Sequence, residues 1–160
     1  MPILASCDKH CMMTTIFLTE DDEDDRAFFE EALKELNTEI ELKSLTDGEA
    51  LMTSLSEVTA EPPPPHLIFL DLNMPRKDGF ECLAEIKNNS LLKKIPIVVL
   101  STSTNPTDID RTYALGANAY IAKPNKLKDL KKVIESALDL KLWLTQLSLP
   151  KNQYVLSAQC

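Results

Sequence analysis

Apolar and polar positions alternate between two rhythms along this chain. Thr15-Ile16-Phe17-Leu18-Thr19 is a short apolar run, and Phe28, Phe29, Ala32, Leu33 and Leu36 then recur at helical spacing. This pattern predicts a strand over 15–19 and a helix from about Glu23 to Leu36. Ile40 to Leu45 is a weaker strand. Thr46 and Glu49 behind it have capping-box spacing, ahead of a helix marked by Leu51, Met52, Leu55 and Val58. Leu67 to Leu70 are apolar without alternation, the pattern of a parallel strand covered on both faces. Pro62 to Pro65 lead into it as an extended loop, since they fit neither a helix nor a central strand, and Pro75 forces the exit. Asp78 and Glu81 repeat the cap spacing before Phe80, Leu83, Ala84 and Ile86, a third helix. Ile95 to Leu100 is another buried strand, followed by Asn105 as cap, Pro106 in a first helical turn, and Gly116 as a left-handed terminator. Ala117 to Ala122 gives the last strand. Leu127, Leu130, Val133, Ile134, Ala137, Leu138 and Leu142 then outline a long closing helix, with Lys126, Lys128, Lys131 and Lys132 on its solvated side. Residues 145–160 show no period.

Five strands alternating with five helices imply an α/β fold with a parallel sheet covered on both faces. Right-handed crossovers put every carboxyl strand end on one rim, where open sheets of this class bind ligands. Four of those ends carry polar chemistry: Glu20 and Asp21, Asp71, Ser101, and Lys123. The acidic run Glu20 to Asp25 has an ordinary explanation in its later members, because carboxylates in a first helical turn offset the helix dipole. That explanation covers Glu23, Asp24 and Asp25 but not Glu20 and Asp21, which precede the helix and repel each other. A hard divalent cation would relieve the repulsion; Mg²⁺ needs few protein oxygens and keeps its waters. With it, Asp71 stays ionised and can act as a nucleophile toward phosphorus, while Lys123 and Ser101 bind phosphoryl oxygens.

Composition narrows the setting. At 160 residues the chain is sized for one domain, and its net charge of −8 without a basic run argues against nucleic acid as a partner. No apolar run approaches the ~20 residues of a membrane span, and no secretory signal is visible. Cys7, Cys11, Cys82 and Cys160 are scattered, which suits a reduced cytoplasmic protein without structural disulfides. Cys7, His10 and Cys11 lack a nearby fourth ligand for a structural metal site. Cys82 is expected to be a packing residue.

Phe17-Leu18-Thr19-Glu20-Asp21-Asp22, Leu70-Asp71-Leu72-Asn73-Met74-Pro75, Val99-Leu100-Ser101-Thr102 and Tyr120-Ile121-Ala122-Lys123-Pro124 together resemble the receiver domain of two-component response regulators. The resemblance implies a flavodoxin-like (βα)5 fold with a five-stranded sheet of order 2-1-3-4-5. It assigns Asp71 as phosphoacceptor, Asp21 as a direct Mg²⁺ ligand, Glu20 as a ligand through water, and the Asn73 carbonyl as the remaining protein ligand. Ser101 takes the place of the switch hydroxyl, Tyr120 of the switch aromatic, and Lys123 of the site lysine, whose bond to Pro124 is typically cis in the family. Asn73 and Ser103 hold the positions that tune dephosphorylation. Leu92 to Ile97 and Gly116 to Tyr120 are similar to the single-domain subgroup that partners phytochrome kinases.

The resulting expectation is a bacterial, cytoplasmic, stand-alone receiver over 14–143, with a flexible arm over 1–13 and a tail over 144–160 packed on the domain or in a dimer contact. It would be a signalling domain rather than an enzyme, accepting its phosphoryl group from a sensor histidine kinase, with the subgroup resemblance pointing to the phytochrome type, and acting on a downstream protein. No output domain that binds DNA is expected. A homodimer through the face of the fourth helix, fifth strand and fifth helix is a further expectation, extended by Leu140, Leu142, Trp143, Leu144 and Leu147. Two rival readings remain: a pseudo-receiver that binds partners without phosphorylation, and a haloacid-dehalogenase-like phosphatase. The phosphatase needs an acid two residues past its nucleophile, where this chain has Asn73.

Overall fold

Leu67–Leu70 is fully buried and lies inside the sheet, where each residue faces one of two cores. Leu67 and Phe69 point to one side with Ile16, Leu18, Val98 and Leu100, while Ile68 and Leu70 point to the other with Phe17 and Val99. The computed structural model describes residues 14–36, 39–60, 63–144 and 149–158, excluding the side chains of 141–144. The expectations placed on the 1–13 arm with its Cys7, His10 and Cys11, on Pro62, Leu142, Trp143, Leu144 and Leu147, and on Cys160 lie outside the described residues.

Strands β1 (Thr14–Thr19), β2 (Ile40–Leu45), β3 (Leu67–Leu70), β4 (Ile97–Ser101), β5 (Ala119–Ala122) and β6 (Val155–Leu156) alternate with helices α1 (Glu23–Glu35), α2 (Gly48–Ala60), α3 (Gly79–Lys87), α4 (Pro106–Ala114) and α5 (Leu127–Leu144) up to α5. The sheet is parallel throughout, in the order β2-β1-β3-β4-β5-β6. The order 2-1-3-4-5 is therefore present, but the sheet has six strands rather than five. The extra strand comes from the tail that shows no period in sequence.

Helices α1 and α5 cover one face through Phe29, Ala32, Leu33, Leu130, Val133 and Ile134. Phe29 meets Phe69 edge-on at 5.0 Å between ring centroids, a geometry worth about 1 kcal/mol beyond the area both rings bury. Helices α2 and α3 cover the other face through Leu51, Leu55, Leu83 and Ile86. Helix α4 is held more lightly, since Thr112 is its only buried residue.

Local chemistry sets the helix starts. Asp22 caps α1 by accepting the Asp25 N–H, Asp78 and Glu81 form the expected capping box of α3, and Asn105 caps α4 ahead of Pro106. At α2 the cap differs from the expected one. Asp47, not Thr46, accepts the Ala50 N–H at 2.8 Å, and its other oxygen takes Arg76 Nη1 at 2.7 Å. The Ala50 N–H and the guanidinium together hold the Asp47 carboxyl below its usual range. Arg76 itself sits at φ +67°, a left-handed turn that this pair secures across the rim. Gly116, at φ +100°, ends α4 as expected.

The tail folds onto the edge of β5. A 3-10 turn over Lys151–Gln153 leads into β6, and Tyr154 between them is fully buried. Its ring lies edge-on to Tyr113 at 5.0 Å and 6.1 Å from Tyr120. A two-residue strand contributes little by its own pairing, whereas burying a side chain of this size contributes about 2–3 kcal/mol.

Candidate functional site

Parallel strands deliver their carboxyl ends to one rim, and backbone bonds there fix their relative heights. Asp71 N–H donates to the Thr19 carbonyl (3.0 Å), Glu20 N–H to Leu45 (3.0 Å), and Lys123 N–H to Ser101 (2.7 Å). The residues singled out from the sequence therefore arrive together. Glu20, Asp21 and Asp71 offer carboxylate oxygens that all lie within 4.8 Å of one another, with Glu20 and Asp71 buried and Asp21 exposed. Lys123 Nζ reaches Glu20 Oε2 at 2.6 Å and Asp71 Oδ1 at 3.7 Å.

Burial dominates the electrostatics of this cluster. Desolvation pushes the Glu20 carboxyl up to about 7; its bond from Lys123 opposes the rise, and repulsion from Asp71 adds to it. Asp71 is pushed up to about 6 by the same loss of water, against the pull of Lys123 and with repulsion from Asp21. Burial also works against the Lys123 ammonium, but its bonds to Glu20 and Asp25 and the charge of Asp71 outweigh that, leaving its pKa above the ordinary value. Acids crowded out of water and repelling one another suit a hard dication: the donor set is all oxygen, compact and net negative.

Three residues of the site were not singled out in the sequence. Asp25 Oδ2 lies 3.0 Å from Lys123 Nζ, so this acid does more than offset a helix dipole. Its position in a run of six acids hid the contact. Arg26 Nη1 donates to the Glu20 and Asp21 carbonyls at 2.8 and 3.0 Å, fixing the turn that presents both carboxylates. An arginine one turn into the helix after an acidic strand end is the only signal for it. Gly79 also belongs here: a Cβ on it would come within 2.3 Å of the Asp71 carbonyl oxygen, so α3 begins directly against the backbone of Asp71.

Ser101 and Tyr120 occupy the other side of the rim. The Ser101 hydroxyl is fully buried and accepts the Ser103 N–H at 3.1 Å. Tyr120 is fully buried on the α2–α3 side of the sheet, and its hydroxyl donates to the Ser103 carbonyl at 2.8 Å. Ser103 spends its own hydroxyl on Asp108 Oδ2, at 2.6 Å. Asn73 lies two residues past Asp71 and is exposed, between the buried Leu72 and Met74. Cys82 is buried, its thiol pushed up to about 12 by desolvation, which agrees with a packing role. Among the described residues, no helix is long and apolar enough to cross a membrane.

Comparison with known proteins places this rim in a family. Residues 16–135 match the model of the response regulator receiver domain. Response regulator Rcp1 of the cyanobacterium Synechocystis is 44% identical over 137 residues, covering 84% of this chain and 92% of Rcp1. Among solved structures, the phosphorylated cyanobacterial phytochrome response regulator RcpA aligns with a TM-score of 0.74 at 41% identity, covering 81% of this chain and 94% of RcpA. The Mn²⁺-bound form of Rcp1 gives a TM-score of 0.70 at 43% identity, over 86% and 99% of the two chains.

Proposed function

This chain belongs to the response regulator receiver family of two-component signalling, and from that premise we propose that it accepts a phosphoryl group on Asp71 and signals through altered protein contacts. The observation that carries the reading is the cluster of Glu20, Asp21 and Asp71 with the Lys123 ammonium 3.7 Å from Asp71. Asp21, Asp71 and the Asn73 carbonyl would hold Mg²⁺, with Glu20 reached through water. The cation, when bound, neutralises carboxylate charge and keeps Asp71 ionised near neutral pH.

The chain's own residues supply the rest. An Asp71 carboxylate oxygen attacks phosphorus in a phosphohistidine or a small acyl phosphate. The new O–P bond forms as the donor's P–N or P–O bond breaks, and the leaving imidazole or carboxylate keeps the bonding electrons. Lys123 turns from Glu20 and Asp25 toward the phosphoryl oxygens, where its charge offsets the developing negative charge. The Ser101 hydroxyl donates a further hydrogen bond. Asn73 and Ser103 flank the approach of hydrolytic water and set the lifetime of the product.

The donor we propose is a sensor histidine kinase of phytochrome type, because RcpA, to which this chain is 41% identical, is a phytochrome response regulator. Output goes to a downstream protein, in the cytoplasm, through the α4–β5–α5 face or a homodimer built on it. Asn73 stands where a haloacid-dehalogenase phosphatase needs its acid, so steady turnover of phosphate esters is not expected.

Incubation with Mg²⁺ and acetyl phosphate should add one acid-stable, base-labile phosphoryl group by mass spectrometry, lost in Asp71→Asn. No mass gain with Asp71 intact sinks the mechanism and leaves a binding module that works without phosphate.

A further inference from the structure

A continuous line of hydrogen bonds runs from the rim to the last described strand. The Ser103 N–H donates to the Ser101 hydroxyl (3.1 Å), and the Ser103 carbonyl accepts the Tyr120 hydroxyl (2.8 Å). The Tyr120 N–H donates to the Tyr154 carbonyl (2.9 Å), and the Tyr154 hydroxyl donates to Thr112 Oγ1 on α4 (2.8 Å). The Thr112 hydroxyl donates in turn to the Ile109 carbonyl at 3.0 Å.

Tyr154 is thus bonded at its backbone to the switch aromatic and at its hydroxyl to the only buried residue of α4. The other attachments of this segment are more exposed. Lys151 pairs with Asp110 at 2.7 Å, but both side chains are more than half exposed, and such pairs contribute little. Val155 is exposed, Leu156 is partly buried against the α1–α5 core, and the strand is two residues long. Among the described residues of the tail, Tyr154 is the one fully buried side chain.

We propose that the α4–β5 edge is a docking surface for an extended segment with an inserted tyrosine, that its occupant is this chain's own Lys151–Leu156, and that phosphorylation releases that segment. This rests on the reading of Asp71 as phosphoacceptor. Every link in the line is made with Ser101 bonded to Ser103, so drawing the Ser101 hydroxyl to a phosphoryl oxygen removes the acceptor of the Ser103 N–H. The Ser103 carbonyl then shifts under the Tyr120 hydroxyl, and Tyr120 cannot move without disturbing Tyr154, whose ring and carbonyl rest on it. Phosphorylation and docking of the segment oppose each other, and by linkage each weakens the other by the same factor. A partner that reads this face meets the closed edge of β5 in one state and its open N–H and C=O groups in the other.

Hydrogen exchange on the full wild-type chain tests this without any substitution. With acetyl phosphate and Mg²⁺, and the mass gain on Asp71 verified in the same sample, exchange at the Tyr120 amide and at 154–156 should quicken about tenfold, within the usual range of coupling. Tyr154→Phe, which keeps the ring and loses the bond to Thr112, should raise the phosphorylated fraction at a fixed, limiting donor concentration. Mass gain on Asp71 with unchanged or slower exchange at these sites overturns the release and leaves the receiver reading standing. No mass gain overturns both.

Discussion

Each rim of the sheet is built around a lysine, and the two lysines behave in opposite ways. At the carboxyl rim, Lys123 faces the carboxylates of Glu20, Asp25 and Asp71, which hold its charge in place. At the amino rim, Lys87 Nζ donates to the Lys93 carbonyl (3.2 Å), the Ile95 carbonyl (3.0 Å) and Asn118 Oδ1 (3.1 Å), with no carboxylate among them. Burial there brings its pKa down to about 8. The amino-rim lysine staples the turn before β4 to the start of β5 through neutral oxygens alone. The carboxyl-rim lysine is shared among anions at unequal distances, so a new anion on Asp71 can redirect it. Carboxylates surround the lysine at the working end of the sheet, and neutral oxygens surround it at the structural end.

Breaking the contrast at its strong end should have the largest effect. Lys123→Ala should slow phosphorylation by acetyl phosphate about 10²- to 10³-fold, measured as the rate of mass gain, while Lys87→Met should leave it within about twofold. Next comes the cost of crowded acids. The Asp71 carboxyl binds its proton more tightly folded (pKa about 6) than unfolded (3.8), so its contribution to stability falls as pH rises through that window. Asp71→Asn should therefore stabilise the metal-free protein by about 2 kcal/mol at pH 7 in urea unfolding, and the gain should vanish near pH 4.

The amino rim should titrate with the opposite sign. Lys87 releases its proton at about 8 folded but near 10.5 unfolded, so the unfolded chain binds more protons between those values and stability rises with pH across them. Comparison of wild type with Lys87→Met from pH 8 to 10 should show wild type gaining on the order of 1–2 kcal/mol that the variant does not. The smallest effect should be at Asp25. Asp25→Asn removes a partly exposed partner of Lys123 and frees the ammonium toward Asp71, whose pKa should fall by a few tenths by carboxyl ¹³C titration. Asp24→Asn in the same helical turn should leave it in place.

Legibility in the sequence followed the range of the interactions. The span Leu67–Leu70 was readable to the residue because burial on both faces writes an uninterrupted apolar run. The placement of Glu20, Asp21, Asp71, Ser101 and Lys123 on one rim followed from strand alternation alone. Three features rested on contacts that no local pattern encodes. Asp25 was hidden among acids that a helix start already explains. The Asp47–Arg76 pair joins loops 29 residues apart in sequence. Strand β6 is too short for a period, and its buried anchor, Tyr154, looks like any aromatic residue in a polar tail. Such elements are decided by what waits for them across the fold.

The chain has three tyrosines, and all of them, Tyr113, Tyr120 and Tyr154, lie in the cluster between α4, β5 and β6. The near-ultraviolet tyrosine signal therefore originates from a single place in the molecule, which reaches the rim through Tyr120. That makes the protein its own optical gauge: with Trp143 replaced by phenylalanine, tyrosine circular dichroism and emission would follow the state of that cluster in real time, without a label.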